Sequence, residues 1–142
     1  MPVNAYLNFN GNCREAVEYY AEVFETEKPI IMTFGEGPSS PDYPLPDEAK
    51  HLVMHSQLIV AGSPIMFSDV FPGMKFTIGN NVNLTYMSSN EDELKAFFKK
   101  LSKDGKVGQE LQETFWSKCY GSLTDKFGIE WQFSHEGEQS SM

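Results

Sequence analysis

The chain has 142 residues, enough for one ordinary domain or for two small modules that share a core. Hydrophobic residues make up 40% of it and charged residues 22%, which indicates a folded chain and excludes wholesale disorder. Its 11 basic and 20 acidic residues give a net charge of −9, so we expect neither nucleic acid nor a membrane surface as a partner.

Two further observations predict a cytoplasmic protein with free thiols. No apolar stretch approaches the roughly 18 residues that span a bilayer, and residues 1–4 lack the features of a secretory signal. The two cysteines, Cys13 and Cys119, are too few for a disulfide framework and lack CxxC spacing. We expect Cys119 to be unreactive, because a nucleophilic thiol needs an adjacent base and none is visible. Cys13 lies in the first turn of a predicted helix, where the helix dipole favours the thiolate, but we expect it to be an ordinary surface thiol.

The first half of the chain predicts one strand, one helix and three further strands. Residues 4–9 alternate between apolar and polar side chains, as in a half-buried strand, and Asn12 is the predicted N-cap of the helix. The predicted helix covers 13–24, and the later strands cover 29–34, 51–60 and 64–69. The proline-rich segment 35–50 is either a functional lid or an irregular loop.

The second half repeats this order after a linker at 71–80. A strand is predicted at 81–88, a helix capped by Asn90 at 91–102, and strands at 108–112, 118–124 and 129–134. The polar residues 135–142 are expected to form a frayed tail. Tyr19-Tyr20 in the first helix recurs as Phe97-Phe98 in the second, 78 positions later, which indicates an internal repeat.

The repeat predicts an α+β fold of two βαβββ modules, at about 3–70 and 81–134, within a single domain. Side by side, the modules would form a curved eight-stranded mixed sheet, with both helices on its convex face and a cup on the other. Alternation along the strands divides their side chains between these two faces. The cup is expected to receive His55, together with Val53 and Gln57, and the following residues: Asn4, Tyr6, Asn83, Thr85, Glu130 and Gln132.

His55 is the titratable residue of greatest interest in this predicted cup. With Gln132 or Glu130 beside it, His55 is a candidate general base or a lone metal ligand. The alternative is a structural histidine that is hydrogen-bonded inside the cup.

Three aromatic residues form a second group of candidates. Phe115, Trp116 and Tyr120 either line a pocket for an apolar or planar ligand or belong to core and dimer packing. The other notable residues are assigned structural or solvated positions. We expect Asp69 to order a strand end, Asp125 to make a tight turn, Trp131 to lie in the core, and His51 and His135 to be solvated.

The C-terminal half of the chain carries a recognisable set of motifs. They are Thr114-Phe115-Trp116, Tyr120-Gly121 and the string Thr124-Asp125-Lys126-Phe127-Gly128-Ile129-Glu130-Trp131. With them the chain resembles the PhnB-like branch of the vicinal oxygen chelate superfamily, which includes glyoxalase I, bleomycin-resistance proteins and extradiol dioxygenases. Further matches extend the resemblance over 3–134: Tyr6-Leu7, Asn10-Gly11-Asn12, Glu15-Ala16, Tyr19-Tyr20, Met54-His55 and Ser68-Asp69.

The resemblance implies a divalent metal in the cup, acting as a Lewis acid on a chelating substrate. The superfamily's ligand positions fall on Asn4, Asn83, Gln132 and either Met66 or Ser68. Only Gln132 is of a type that the superfamily uses for this purpose, because such ions favour imidazole and carboxylate ligands. We therefore expect no metal site of the usual kind and no other cofactor. An altered set is the fallback: His55, Glu130 and Gln132.

The resemblance also implies a homodimer, and the open edges of the modules give that expectation a physical reason. An older label of the family is demethylubiquinone methyltransferase, which requires a loop for a nucleotide cofactor. The only glycine-rich candidate, residues 34–38, opens a proline-rich loop rather than a helix. We therefore do not expect methyl transfer.

The leading hypothesis is a cytoplasmic small-molecule-binding protein of the bleomycin-resistance type, without the superfamily's metal site. Its ligand is predicted to contact Asn4, Tyr6, His55, Asn83, Thr85, Trp116, Tyr120 and Gln132. A second hypothesis is a metal-dependent lyase or isomerase in which His55 is catalytic. A third is a partner-binding domain whose cup is filled by its own side chains.

Overall fold

The computed structural model describes residues 3–37 and 44–136 of the chain. The strands are β1 (Ala5–Phe9), β2 (Ile31–Thr33), β3 (Val53–Val60), β4 (Ser63–Asp69), β5 (Asn83–Ser88), β6 (Lys106–Gln112), β7 (Tyr120–Thr124) and β8 (Glu130–His135). The helices are α1 (Cys13–Val23) and α2 (Glu91–Ser102), and short 3₁₀ turns occupy Phe34–Glu36 and Asp47–Ala49.

The chain divides into two compact units, Met1–Phe76 and Thr77–Met142, and each contains a βαβββ succession. The strand order is β1-β4-β3-β2 in the first unit and β5-β8-β7-β6 in the second. In both, the first neighbouring pair is parallel and the other two are antiparallel, so both sheets are mixed. The predicted α+β class and the order of the modules are confirmed, with the strands hydrogen-bonded as two four-stranded sheets.

The core of the first unit lies between α1 and its sheet. Residues Ala16, Val17 and Tyr20 recur at helical spacing and are buried against β3 and β4. The Tyr20 ring stacks on Phe67 with centroids 5.9 Å apart, and Phe67 stacks on Phe9 at 6.3 Å. The side of the sheet away from α1 is called its open face below.

The second unit is built in the same way around α2, which packs against β5 and β8. Phe98 meets Phe133 edge to face at 5.4 Å, and Phe97 meets Tyr86 at 5.5 Å. Trp131 is buried in this core, as predicted. The side of this sheet away from α2 is the open face of the second unit.

The N-termini of the two helices are capped differently. Asn90 caps α2 as predicted, because its side-chain oxygen accepts the N–H of Glu93 at 3.1 Å. Asn12 holds the N-cap position of α1, as predicted, but its side chain makes no cap bond. Asp69 at the end of β4 supplies a bond to this helix end instead, since its carboxylate accepts the N–H of Cys13 at 3.0 Å.

Several strand ends differ from the prediction by one or two residues. β8 continues through His135, whose backbone N–H donates to the Cys119 carbonyl at 2.8 Å. The chain is therefore not frayed at 135, and residues 137–142 lie outside the described part. β7 begins at Tyr120 rather than 118, because Ser117 turns the chain just before it. No helix within 3–37 and 44–136 is long and apolar enough to cross a membrane.

Candidate functional site

Tyr6 and His55 lie close together on the open face of the first sheet. Their ring centroids are 6.2 Å apart, and the ring planes are inclined by 46°. The strand register explains this proximity, because Tyr6 pairs with Met66, which pairs in turn with Gln57. Met32 of β2 lies directly opposite His55. The predicted residues of this unit's strands are therefore neighbours across three strands.

The His55 imidazole is half-buried and makes no hydrogen bond to any residue that the structure describes. His55 shares its face with Gln57, as predicted, but Val53 does not. Val53 is completely buried, and its backbone N–H donates to Asp69 at 2.9 Å. The alternation fails there because the register shifts between Met32 and Thr33, as at a β-bulge.

Polar side chains form a grid on the open face of the second sheet. The register places them in two rows across three strands, Asn83–Glu130–Thr124 and Thr85–Gln132–Ser122. Side chains of residues that are paired in this way point to the same face and can interact. The structure thus brings together the predicted β5 and β8 residues.

Two members of this grid are hydrogen-bonded to each other. The Thr124 hydroxyl donates a hydrogen bond to the Glu130 carboxylate. The side chains of Asn83, Thr85 and Gln132 make no hydrogen bond within the described ranges. Asn83 and Thr85 are exposed and Gln132 is half-buried, so their amide and hydroxyl groups are accessible to a ligand.

Phe115, Trp116 and Tyr120 form an edge-to-face series at the connection between β6 and β7. The ring centroids of Phe115 and Trp116 are 4.7 Å apart, and those of Trp116 and Tyr120 are 5.4 Å apart. Trp116 and Tyr120 are half-buried, whereas Phe115 is 92% exposed. None of the three is a buried core residue, so this series can offer a ring face to a planar or cationic group.

Ser117 holds the aromatic segment in place, and sequence reasoning did not single it out. Its backbone N–H donates to the Thr114 hydroxyl at 3.1 Å, and its carbonyl accepts the Thr114 N–H at 2.9 Å. Its own hydroxyl donates to the Cys119 carbonyl at 3.1 Å and accepts the His135 N–H at 3.2 Å. The Thr-x-x-Ser pattern is a local turn signal. The bond to His135 has no such signal, because it joins residues 18 positions apart.

Asp69 and Asp125 are buried carboxylates whose hydrogen bonds are all internal to their units. Asp69 accepts the backbone N–H groups of Gly11, Cys13 and Val53, at 2.8, 3.0 and 2.9 Å. Asp125 accepts the backbone N–H groups of Phe127 and Ile129 and the ring N–H of Trp131, at 2.8, 3.1 and 2.9 Å. Both carboxylates therefore have the structural positions expected for them.

The two thiols are buried and protonated at neutral pH. Burial, and to a smaller extent the Asp69 carboxylate, raises the pKa of Cys13 to about 12. Burial, followed by the negative charge of Glu91, also raises the pKa of Cys119. Because the thiolate is the reactive form, both residues are poor nucleophiles, as expected for Cys119. The expectation of a surface thiol at Cys13 was wrong, because this side chain is completely buried.

The remaining two histidines differ in their surroundings. His51 is exposed and precedes β3, as expected for a solvated side chain. His135 is half-buried in β8, and its Nε2 lies 3.2 Å from the Ser89 carbonyl oxygen. His135 is therefore only partly solvated, because β8 ends one residue later than predicted and includes it.

The glycine-rich segment at 34–37 packs tightly against its own unit. The Gly35 N–H donates to the Lys50 carbonyl at 2.9 Å, and the Gly37 N–H donates to the Phe34 carbonyl at 3.2 Å. A Cβ at Gly35 would lie 2.8 Å from the Lys50 carbonyl oxygen, so the absence of a side chain permits this close approach. Both N–H groups are occupied and are not free for a phosphate. Residues 38–43 of the predicted lid lie outside the described ranges.

A family model described as 3-demethylubiquinone-9 3-methyltransferase matches residues 2–134. The chain belongs to this family. It is the PhnB-like family, so the resemblance found in the motifs is confirmed. The same fold occurs in fosfomycin-resistance and glyoxalase/bleomycin-resistance proteins, in keeping with the vicinal oxygen chelate superfamily.

Similar proteins cover nearly the whole PhnB-like chain. Protein YjdN of Escherichia coli K12 is 35% identical over 94% of this chain and 95% of its own. The structure of PA1353 from Pseudomonas aeruginosa has a TM-score of 0.84 at 29% identity, over 96% of this chain and 98% of that one. A putative 3-demethylubiquinone-9 3-methyltransferase, PhnB protein, from Bacillus cereus has a TM-score of 0.73 at 26% identity, over 96% and 100%.

The positions that the resemblance assigns to metal ligands carry a poor donor set in this PhnB-like protein. In the first unit Asn4 is exposed ahead of β1, Met66 offers only a thioether, and the Ser68 hydroxyl donates to the Asn8 side chain at 3.1 Å. In the second unit Asn83 and Gln132 offer neutral amides. Hard and borderline divalent ions favour carboxylate and imidazole ligands, so these residues do not fit such an ion.

The fallback metal set is divided between the two units. Glu130 and Gln132 share the open face of the second sheet, whereas His55 belongs to the first unit. Among the described residues, no group of three or more His, Cys, Asp or Glu side chains is placed to hold a metal ion.

Proposed function

We propose that this PhnB-like protein is a cytoplasmic protein that binds small organic molecules on the open faces of its sheets, without the superfamily's metal. One contrast supports the proposal. The buried polar side chains Asp69, Asp125 and Ser117 are all hydrogen-bonded internally. The half-buried His55 and Gln132 make no hydrogen bond within the described ranges.

This contrast matters because folded proteins pair nearly all of their buried polar groups. Groups left unpaired on a half-buried face are paired by water or by a ligand, and a few such groups beside aromatic rings are typical of ligand sites. Asn4, Tyr6 and His55 are the proposed contacts in the first unit. Those in the second unit are Asn83, Thr85, Trp116, Tyr120 and Gln132.

For the second unit we propose a planar aromatic cation as the ligand class. The net charge of −9 attracts cations to the protein as a whole. The Glu130 carboxylate supplies a local negative charge, and the rings of Trp116 and Tyr120 favour stacking and cation–π contact.

We also propose that methyl transfer is not the activity of this protein, despite the printed description of the family model. A nucleotide-type cofactor needs free backbone N–H groups at a glycine-rich turn that opens a helix. The N–H groups of Gly35 and Gly37 are both bonded to backbone carbonyls, and the segment forms a short 3₁₀ turn. Saturable binding of S-adenosylmethionine in isothermal titration calorimetry would contradict this proposal.

A homodimer remains our proposal for the state in solution. β2 and β6 each lie at one end of their sheet's strand order, and unpaired strand edges favour association. Sedimentation velocity tests it, with twice the chain mass of 16.1 kDa as the expected result and the mass of a single chain as the contrary one.

The experiment for the second unit is a calorimetric titration with proflavine, a planar aromatic cation. We expect saturable binding that is about tenfold weaker in Glu130→Gln and in Trp116→Ala, equivalent to about 1.4 kcal/mol for each change. Glu130→Gln removes the negative charge and keeps an oxygen that can accept the Thr124 hydrogen bond.

Glu91→Gln is the matched control, because it changes the net charge equally from the exposed first turn of α2. We expect this variant to bind proflavine within twofold of the wild type. No saturable heat in the wild type would contradict the proposal. Equally weakened proflavine binding in Glu130→Gln and Glu91→Gln would also contradict it, because net charge alone would then explain the effect.

A further inference from the structure

A groove of about 670 Å³ lies on the first unit, beside β2 and β3. Residues 26–29, which connect α1 to β2, form one wall. Side chains from the open face of the two strands line the rest, including Met32, His55, Gln57 and Ile59. A volume of this size lies within the range of small-molecule sites, which is roughly 300–1,000 Å³.

The lining of this groove is largely apolar and unusually exposed. Ile30 is 86% exposed, Met32 is 46% exposed and Ile59 is 51% exposed. The polar side chains on the strands are His55 and Gln57, and neither is hydrogen-bonded to a residue that the structure describes. Apolar surface with a few unpaired polar groups is the pattern of a small-molecule site.

The charges near the groove do not favour an ionic ligand. Neither β2 nor β3 contains an acidic residue, a lysine or an arginine. The adjacent wall residues Glu27 and Lys28 carry opposite charges, which largely cancel at a distance. An uncharged ligand loses no ionic hydration on entering such a groove, whereas a charged one would.

The equivalent strands of the second unit carry no such apolar surface, so the topology of the sheet does not require it. β6 and β7 hold the same places in the strand order as β2 and β3. On their open face they carry Lys106 opposite Thr124, and Ser122 in the next row. No large exposed hydrophobic residue lies in β6 or β7, both of which are fully described. The apolar side chains of the groove are thus specific to the first unit.

We propose that this groove binds an uncharged, apolar small molecule, with His55 and Gln57 as its polar contacts. This inference rests on the proposed function, because His55 belongs to the same open face, and it names the ligand chemistry of the first unit. A second copy of the chain is a less suitable occupant, because the homodimer proposed above associates through strand edges, whereas this groove lies on an open face.

The test uses two dyes that differ by one charge. N-phenyl-1-naphthylamine is neutral and fluoresces when it leaves water, and 1-anilinonaphthalene-8-sulfonate carries a sulfonate on the same aromatic framework. We expect the neutral dye to bind the wild type at least tenfold more tightly than the sulfonate. Equal affinity, or tighter binding of the sulfonate, would overturn the proposal.

Two substitutions place a charge in the groove. Met32→Lys and Ile59→Lys are each expected to weaken binding of the neutral dye at least tenfold. His55→Ala is expected to weaken its binding about threefold. Both lysine positions are half-exposed, so the fold tolerates the change. Met87→Lys is the matched control, because Met87 is similarly exposed, at 44%, but lies on β5 of the second unit. We expect this variant to bind the neutral dye within twofold of the wild-type affinity.

The remaining outcomes separate the alternatives. Loss of dye binding in both lysine variants and equally in Met87→Lys would overturn the proposal. Dissociation of a wild-type dimer by Met32→Lys would show an interface between copies instead, and would also overturn it. If proflavine binds the second unit and the neutral dye does not bind, this inference alone fails. If neither probe binds, the proposed function itself fails.

Discussion

Cys13 occupies the first position of α1, and its backbone N–H is fixed by the Asp69 carboxylate. The thiol is completely buried, and the negative charge of that carboxylate acts on it. Both features disfavour the thiolate, because ionisation would place a second negative charge in a site that water does not reach. The residue is therefore a core side chain and not a nucleophile, even though a helix N-terminus by itself would favour the thiolate.

This raised pKa predicts a pH dependence of stability. The unfolded thiol ionises near its ordinary pKa of 9.0, whereas the folded thiol keeps its proton to about 12. Below pH 9 both states are protonated and Cys13 makes no contribution to the pH dependence. As the pH rises from 9 towards 12 the unfolded state alone loses the proton, so the free energy of unfolding falls.

Urea unfolding of the wild type and of Cys13→Ala, under reducing conditions at pH 8 and pH 10.5, measures this effect. The stability of the wild type should fall more between these two pH values than that of Cys13→Ala, because other groups titrate equally in both proteins. A difference between the two proteins that does not change with pH would contradict the burial of this thiol.

Sequence reasoning located the polar side chains of the open faces, but it did not identify the hydrogen bonds of the buried ones. Sequence alternation placed His55, Thr85 and Gln132 on the faces where the structure has them, because alternation depends on local geometry alone. The backbone N–H groups that donate to the Asp69 carboxylate belong to residues 16 to 58 positions away in the sequence. Such long-range bonds leave no local pattern, so the sequence predicted Asn12 at the N-cap of α1 but not the carboxylate that accepts the N–H of Cys13.

At the scale of elements, the connection between β6 and β7 depends on a close approach of two strands. A Cβ at Gly121 would lie 2.9 Å from the Gln109 carbonyl oxygen and 3.0 Å from the Leu111 side chain. The absence of a side chain at Gly121 lets β6 pack beside β7, next to the aromatic series. Gly121 is therefore a packing residue, and its conformation is not the reason for a glycine there.

Gly121→Ala should destabilise the protein by about 1–3 kcal/mol, because backbone atoms of β6 would have to move. Gly79→Ala is the matched control, since its Cβ would contact only the Asn81 side chain at an ordinary 3.4 Å. We expect the control to change stability by less than about 0.5 kcal/mol in urea unfolding. Equal stability of the two variants would contradict this account of the β6–β7 packing.

Secondary-structure elements were predictable where local signals determine them. The apolar stripes of α1 and α2 and the Asn90 cap were all identified from sequence spacing. The prediction failed at the register shift beside Val53 and at the end of β8, where pairing with a distant strand decides the conformation. The groove beside β2 was not predicted either, because the connection at 26–29 and two strands form it jointly.

At the scale of the whole molecule, the two units share a topology but not a surface chemistry. The first open face carries apolar side chains around His55, and the second carries a polar grid beside aromatic rings. The internal repeat predicted the shared topology, since the helix and strand patterns recur in order. It did not predict the difference between the faces, because the repeat is recognised from core residues that both units need.

A second property at this scale is that the expected metal-ligand positions carry side chains poorly suited to a divalent metal ion. The motifs identified the family, and the positions that the resemblance assigns to metal ligands carry neutral amides and a thioether or hydroxyl in this chain. Fold and chemistry are separable in this way, because the same scaffold can keep its core while the residues of a site change.

Elemental analysis of protein purified without chelator or affinity-tag metal, followed by thermal unfolding with added Mn²⁺, Ni²⁺ and Zn²⁺, tests this claim most directly. The account predicts less than stoichiometric metal and no stabilisation by any of the three ions, in the wild type and in His55→Ala alike. Near-stoichiometric metal, with stabilisation that disappears in His55→Ala, would contradict it and would support a metal-dependent lyase or isomerase that uses His55, Glu130 and Gln132.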